Sequence, residues 1–358
     1  MSRATSLSSK QGNLRGLIRL CRPLNLAIAA STLLLLKFGW LARWQPSESI
    51  GLLPNSHLVE GILVVVFLMM SGNWINAYFD VQEDRINRPD RALVDRTVKR
   101  RVLIVAHQIA NTAGLLFALH LSWNLKSLQP VLLAALVSLM LWRYSTTWKS
   151  IPLLGNAVVA SLLGMVPLWL AVLETPFTEA HHRHGVWMGM AAYGGLAMCT
   201  GLVRELAKDA MDVTGDREAG KATFAVQNGT KTVRALCLSL LLVLAISYSM
   251  GIRWTAWEEA PVVLWAAPLP FWAWSVFILI RPQPNWRALS TATLITLLAG
   301  TLQCLWIPSK REEAPHNRGW PLSTELRGGM RELQVYVSST GASTCARQLP
   351  CFGQMDSF

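Results

Sequence analysis

The chain has 358 residues, with 33 lysines and arginines against 21 aspartates and glutamates, for a formal net charge of +12. Hydrophobic residues make up 52% and charged ones only 15%, with 16 tryptophans, which excludes an ordinary soluble domain of this length. The positive balance does not indicate a nucleic-acid partner, because the basic residues sit in short segments between apolar runs rather than on one basic face.

Residues 1–20 are polar and basic, with Arg3, Lys10, Arg15 and Arg19, and no apolar core followed by a small-residue cleavage site, so no removable signal peptide is expected. The first apolar run, about 24–41, contains Lys37, which must snorkel or face the bundle interior. Further runs follow at about 60–79, 102–123, 129–143, 151–173, 185–203, 232–252, 259–280 and 287–307, each near the length of a membrane-crossing helix. The fold expected is all-α: a multi-span bundle of about nine transmembrane helices over residues 21–308. The segment 309–358 is polar and rich in Gly, Ser, Thr and Arg, and is expected to be a flexible tail in which Cys345 and Cys351 lie.

Loops after even-numbered runs are basic, with Arg85, Arg88, Arg91, Lys99, Arg100 and Arg101 after the second and Arg204, Lys208, Arg217 and Lys221 after the sixth. The intervening loops are poorer in Lys and Arg. This asymmetry predicts an N-terminus in the cytoplasm, with membrane lipids as neighbours of the basic loops.

Two acidic rows stand out against this background. Asn76, Asp80 and Asp84 fall at i, i+4 and i+8, which on a helix aligns an amide and two carboxylates. Glu205, Asp209, Asp212 and Asp216 fall at i, i+4, i+7 and i+11. Side-by-side carboxylates repel unless a cation lies between them, and such hard oxygen ligands suit Mg²⁺ carrying a substrate phosphate. Both rows end even-numbered runs, so parity alone puts them on one side of the membrane. Facing each other, they would hold a diphosphate between two metal ions.

Asn76, Asp80 and Asp84, followed by Asn87, Arg88, Pro89, Asp90 and Arg91, resemble the first aspartate motif of the UbiA superfamily of intramembrane prenyltransferases. Asp212 and Asp216, followed by Gly220 and Lys221, resemble its second, and Tyr144 to Lys149 with Pro152, Gly155 and Asn156 is similar to the loop between its fourth and fifth helices. Arg204, Glu205, Lys208, Asp209, Asp212 and Asp216 look most like the branch that makes digeranylgeranylglyceryl phosphate. Phe224 and Ala225 depart from that branch, where Leu-Pro is usual, as does Met211, where an acid is frequent.

The resemblance implies a transferase moving a polyprenyl group from its diphosphate to a lipid-soluble acceptor, with Mg²⁺ as cofactor. Asn76, Asp80, Asp84, Asp212 and Asp216 would be the metal ligands. Arg22, Arg88, Tyr144, Lys149 and Lys208 would bind substrate, and Asp209 and Glu205 would support the second row or handle the acceptor. Geranylgeranylglyceryl phosphate is the acceptor implied, an aromatic acceptor of quinone or pigment synthesis is the alternative, and an ion-coupled transporter is the reading from another class. Trp142, Trp148, Phe117, Trp169 and Trp187 are candidates to line a tunnel for the isoprenoid tail, though interface or packing positions are commoner for such residues. His107 reads as a hydrogen-bonded group inside the bundle, and His181, His182 and His184 as a short loop cluster without a metal role.

Overall fold

The structure, a computed structural model, describes residues 13–42, 53–87, 92–255 and 268–306, all within the unit Met1–Arg311. Arg88 and the tail with Cys345 and Cys351 lie outside the described residues. The chain runs as α1 (13–20), α2 (Pro23–Leu35) with a π-helical extension Leu36–Leu41, α3 (Asn55–Phe79), α4 (Val81–Asn87) and α5 (Arg100–Asn124). It continues as α6 (Gln129–Thr146), α7 (Leu154–Glu174), α8 (Ala180–Glu218), α9 (Phe224–Thr255), α10 (Leu269–Ile280) and α11 (Trp286–Leu302).

Nine of these helices, among the described residues, stand where the sequence places spans. Six have the length and apolarity to cross a bilayer: α2 with its extension, α3, α5, α7, α8 and α9. The expectation of nine spans is met in length and apolarity by six helices only, among the described residues; the other three fall below that standard, and α10 has only 12 residues.

The helix boundaries follow from local chemistry. Pro23 at the first position of α2 ends α1 and is preceded by Arg22 in the left-handed region (φ 56°). Asn285 caps α11 by accepting a hydrogen bond from the Ala288 N–H at 3.0 Å. Gly229, at φ 75° and ψ 161°, interrupts α9 one turn after its start, a geometry that only glycine adopts without strain.

Packing is densest between α3 and α5 and between α7 and α8, and α8 also carries α9 and α11 on its flanks. In a bilayer, close fit rather than water exclusion drives such contacts, and small residues permit it. Gly164 on α7 and Gly194 on α8 meet backbone to backbone: a Cβ built on Gly194 would lie 2.5 Å from the Gly164 carbonyl oxygen. His107 is buried and shares a 2.8 Å hydrogen bond with the Ser71 hydroxyl, as expected of an intramembrane histidine.

At the end of the bundle away from the acidic rows, Lys37 and Glu174 form a buried ion pair, 1% and 0% exposed. The other Glu174 oxygen accepts the Leu53 N–H at 3.1 Å. Lys37 therefore faces the interior rather than snorkelling. Leu33, Leu36, Leu41, Leu170 and Leu173, close to the pair in sequence on α2, its extension and α7, are buried in one cluster.

Candidate active site

The two acidic rows are brought together because α4, which carries Asp84 of the first, packs against α8, which carries the second. The first row is not one continuous helix. Asp80 is the C-cap of α3 (φ −84°, ψ 8°), yet its N–H still bonds the Asn76 carbonyl and the Asp84 N–H bonds the Asp80 carbonyl, each at 2.9 Å. The break leaves the i, i+4, i+8 alignment in place. At about 58 Å, α8 is nearly twice the ~30 Å hydrocarbon core of a bilayer, so it cannot lie wholly within it.

All four aspartates of the paired motifs, Asp80, Asp84, Asp212 and Asp216, line one cavity of about 1100 Å³. Asn76 donates its Nδ2 to Asp80 Oδ2 at 2.7 Å. Its Oδ1 is buried with no hydrogen-bond partner among the described residues. A buried oxygen left over beside two carboxylates is the donor set that a hard cation such as Mg²⁺ takes, so these residues fit the metal the sequence implies.

Lysines occupy the space between the rows. Lys149 contacts both Asp80 and Glu83, the latter at 3.0 Å, and Lys221 contacts the same Glu83 oxygen. Lys221 reaches back because Gly220 turns the chain at φ 72°, with the Lys221 N–H bonded to the Asp216 carbonyl at 2.8 Å. Burial and the adjacent Lys221 ammonium pull the Lys149 ammonium down to about 6. Two crowded lysine nitrogens sharing one carboxylate are poised to accept a richer anion.

A second polar group lies further along the same cavity wall. Glu205 pairs with Lys208 at 2.5 Å and with Arg204 at 3.6 Å, and Arg22 is close enough to act on the same carboxylate. The buried Arg204 Nε has no hydrogen-bond partner among the described residues. Asn156 donates to Asp209 at 2.9 Å, which fixes that carboxylate, and Tyr144 lines the wall beside them.

Of the sequence candidates, every one among the described residues lines this cavity: Arg22, Asn76, Asp80, Asp84, Tyr144, Lys149, Lys208, Asp209, Asp212 and Asp216. Glu83, Arg204 and Lys221 were not singled out as site residues, nor was Asn156. Glu83 lies off the i, i+4 row, and only its pairing with lysines distant in sequence reveals it. Among the five aromatic candidates only Trp169 lines the cavity. Phe117 stacks on Phe67 at 5.8 Å, Trp187 bonds the Thr175 hydroxyl, Trp142 is 46% exposed, and Trp148 lies under the Arg143 guanidinium. At the far end Glu179, His181 and His182 bring ligand atoms within 4.8 Å of one another, with the first two exposed.

An all-helical membrane bundle around a cavity that is acidic and basic at one end and apolar along the rest defines a protein built for amphiphiles with a multiply charged head. The chain belongs to the UbiA prenyltransferase family, whose model matches residues 26–302. It is 32% identical over 226 residues to digeranylgeranylglyceryl phosphate synthase of Thermococcus gammatolerans, covering 61% of this chain and 71% of that one. It is 31% identical over 244 residues to the Thermococcus kodakarensis enzyme of the same name, covering 65% and 78%. Among solved structures, one described as digeranylgeranylglyceryl phosphate synthase in membranes superposes with a TM-score of 0.59 at 21% identity, over 82% of this chain and 99% of that one. A UbiA homologue from Archaeoglobus fulgidus bound to GPP and Mg²⁺ gives 0.57 at 17% identity, over 81% and 99%.

Proposed function

We propose that the protein transfers a geranylgeranyl group from its diphosphate to the hydroxyl of geranylgeranylglyceryl phosphate, in a Mg²⁺-dependent reaction. The names of its relatives support the acceptor, and the homologue bound to GPP and Mg²⁺ supports the donor class and the cation. The observation that carries the reading is that one cavity holds both aspartate motifs together with many apolar side chains.

Asn76, Asp80 and Asp84 would hold one Mg²⁺, and Asp212 and Asp216 a second. Bound there, the metal neutralises the diphosphate and makes it a better leaving group. Lys149 and Lys221 exchange Glu83 for diphosphate oxygens and stabilise the charge that grows as the C1–O bond breaks. The bundle excludes bulk water, which would otherwise capture the allylic carbon. Arg22, Arg204 and Lys208 receive the acceptor's anionic head, with Tyr144 as a further donor. The acceptor hydroxyl oxygen forms the new bond to C1, and its proton passes to Asp209, held in place by Asn156.

The basic loops at this end of the bundle support a cytoplasmic site and a cytoplasmic N-terminus. The deciding assay supplies labelled geranylgeranyl diphosphate and Mg²⁺ with a panel of geranylgeranylglyceryl phosphate and aromatic acids, beside Asp80→Asn and Asp216→Asn. Ether lipid product that disappears in both variants and on chelation is expected. Transfer to an aromatic acid alone would replace the acceptor, and absence of diphosphate release from folded protein would overturn the reaction.

A further inference from the structure

The short helix α1 presents three different faces. Gly16, Leu17 and Leu20, with Cys21 just beyond, turn towards the protein, where Leu17 and Leu20 pack on a cluster that includes Trp74 and Val98. Trp74 Nε1 donates to the Leu17 carbonyl at 3.0 Å and Asn73 Nδ2 to the Cys21 carbonyl at 2.8 Å, so α3 straps α1 in place. Val98 closes over Gly16 and leaves no room for a side chain there. Leu14 and Ile18, one turn apart, share a second face and are 60% and 52% exposed. Arg15 and Arg19 share a third, about 100° further round the helix, and both are exposed.

We propose that α1 docks in the plane of the membrane on anionic lipid headgroups, with Leu14 and Ile18 in the outermost part of the acyl chains and Arg15 and Arg19 against headgroup phosphates. The inference goes beyond the reaction proposed above and rests only on the chain being a membrane bundle. Covalent continuity sets the depth of the helix: α2, one of those long and apolar enough to cross a bilayer, starts at Pro23, and Leu24 in its first turn is a further exposed apolar residue. A helix held at that level, with an apolar strip beside a basic one, has the form of an interfacial helix. Charge complementarity selects an anionic surface. The turn that covers Gly16 adds Arg96 and Lys99, both exposed, while its Asp95 is taken up by Arg85 and Arg100. Arg19 and Leu20 also line the cavity, so the docked helix puts part of the cavity wall at the level of the headgroups.

The test places a photoreactive benzophenone side chain at position 14 or 18 of the full chain, in nanodiscs of phosphatidylcholine with a minor share of phosphatidylglycerol, and identifies the adducts formed on illumination. Lipid adducts are expected at both positions, with phosphatidylglycerol enriched over its share of the bilayer by roughly fivefold for each arginine that meets it. Added salt should shrink the enrichment, which reads the contact without altering either arginine. Arg15→Gln with Arg19→Gln should bring the adducts close to the bulk lipid ratio, and Arg15→Lys with Arg19→Lys should retain the enrichment. Adducts in the bulk ratio from the unaltered arginines, or an enrichment that survives both salt and the loss of the two arginines, overturn the anionic partner. Adducts to a second copy of the chain, or none to lipid, overturn the docking itself.

Discussion

Glu83 holds two lysines with one carboxylate, so neutralising it tests the electrostatic logic of the site. Lys149 and Lys221 both reach the same Glu83 oxygen, with side-chain exposures of 15%, 12% and 19% for the two lysines and the glutamate. Near pH 7 the depressed Lys149 is largely neutral, so the charged contact that Glu83 makes is chiefly with Lys221. A charge-assisted hydrogen bond to a partly buried carboxylate contributes about 1.5–3 kcal/mol. Glu83→Gln should therefore destabilise the donor-free protein by about 1.5–3 kcal/mol. It should also tighten binding of an unreactive geranylgeranyl diphosphate analogue, because the incoming anion no longer displaces a carboxylate, and added salt should shrink both effects. Thermal unfolding in detergent and analogue titration at two ionic strengths read the two quantities separately. An unchanged midpoint with unchanged affinity would refute the reasoning, as would weaker analogue binding at retained stability.

Donor binding should take up protons. Lys149 is depressed to about 6 in the free protein, and a bound diphosphate favours its charged form and raises it, so between the two values the complex holds more protons than its parts. Calorimetry near pH 7 in buffers of different ionisation enthalpy should show that uptake, and Lys149→Met should remove it. Lys37→Met leaves the Glu174 carboxylate buried without its cation and should cost about 3–5 kcal/mol in thermal or denaturant unfolding, most of which Lys37→Met with Glu174→Leu restores. Gly194→Val forces a side chain into the Gly164 carbonyl and should destabilise by about 1–3 kcal/mol; an unchanged melting profile would show that the two helices separate freely.

The sequence made the helices and the acidic rows legible because both depend on local spacing. Asn76, Asp80 and Asp84 repeat at the helical period, and the alignment survives even the break at Asp80, since the i to i+4 hydrogen bonds continue across it. The interior placement of Lys37 was one of two options that burial cost allows, but its partner Glu174 lies 137 residues away and no local pattern joins them. Glu83 and Asn156 were illegible as site residues for the same reason: each gains its role from a side chain on a distant helix. The aromatic candidates fared worst, because ring size alone does not tell which face of a helix meets the cavity. Only Trp169 does so, while Trp142 is among the exposed apolar residues.

The uninterrupted course of α8 has a consequence for how this protein can diversify. Its 39 residues carry both the carboxylates of the second row and Tyr193, nineteen residues earlier on the same cavity wall, so the distance between them behaves as a fixed gauge. Shifting the helix along its axis displaces head and tail contacts by the same amount and leaves the gauge unchanged. Descendants that accept longer or shorter lipids must therefore change side-chain volume at the far end, and the reacting centre can be conserved untouched while they do so.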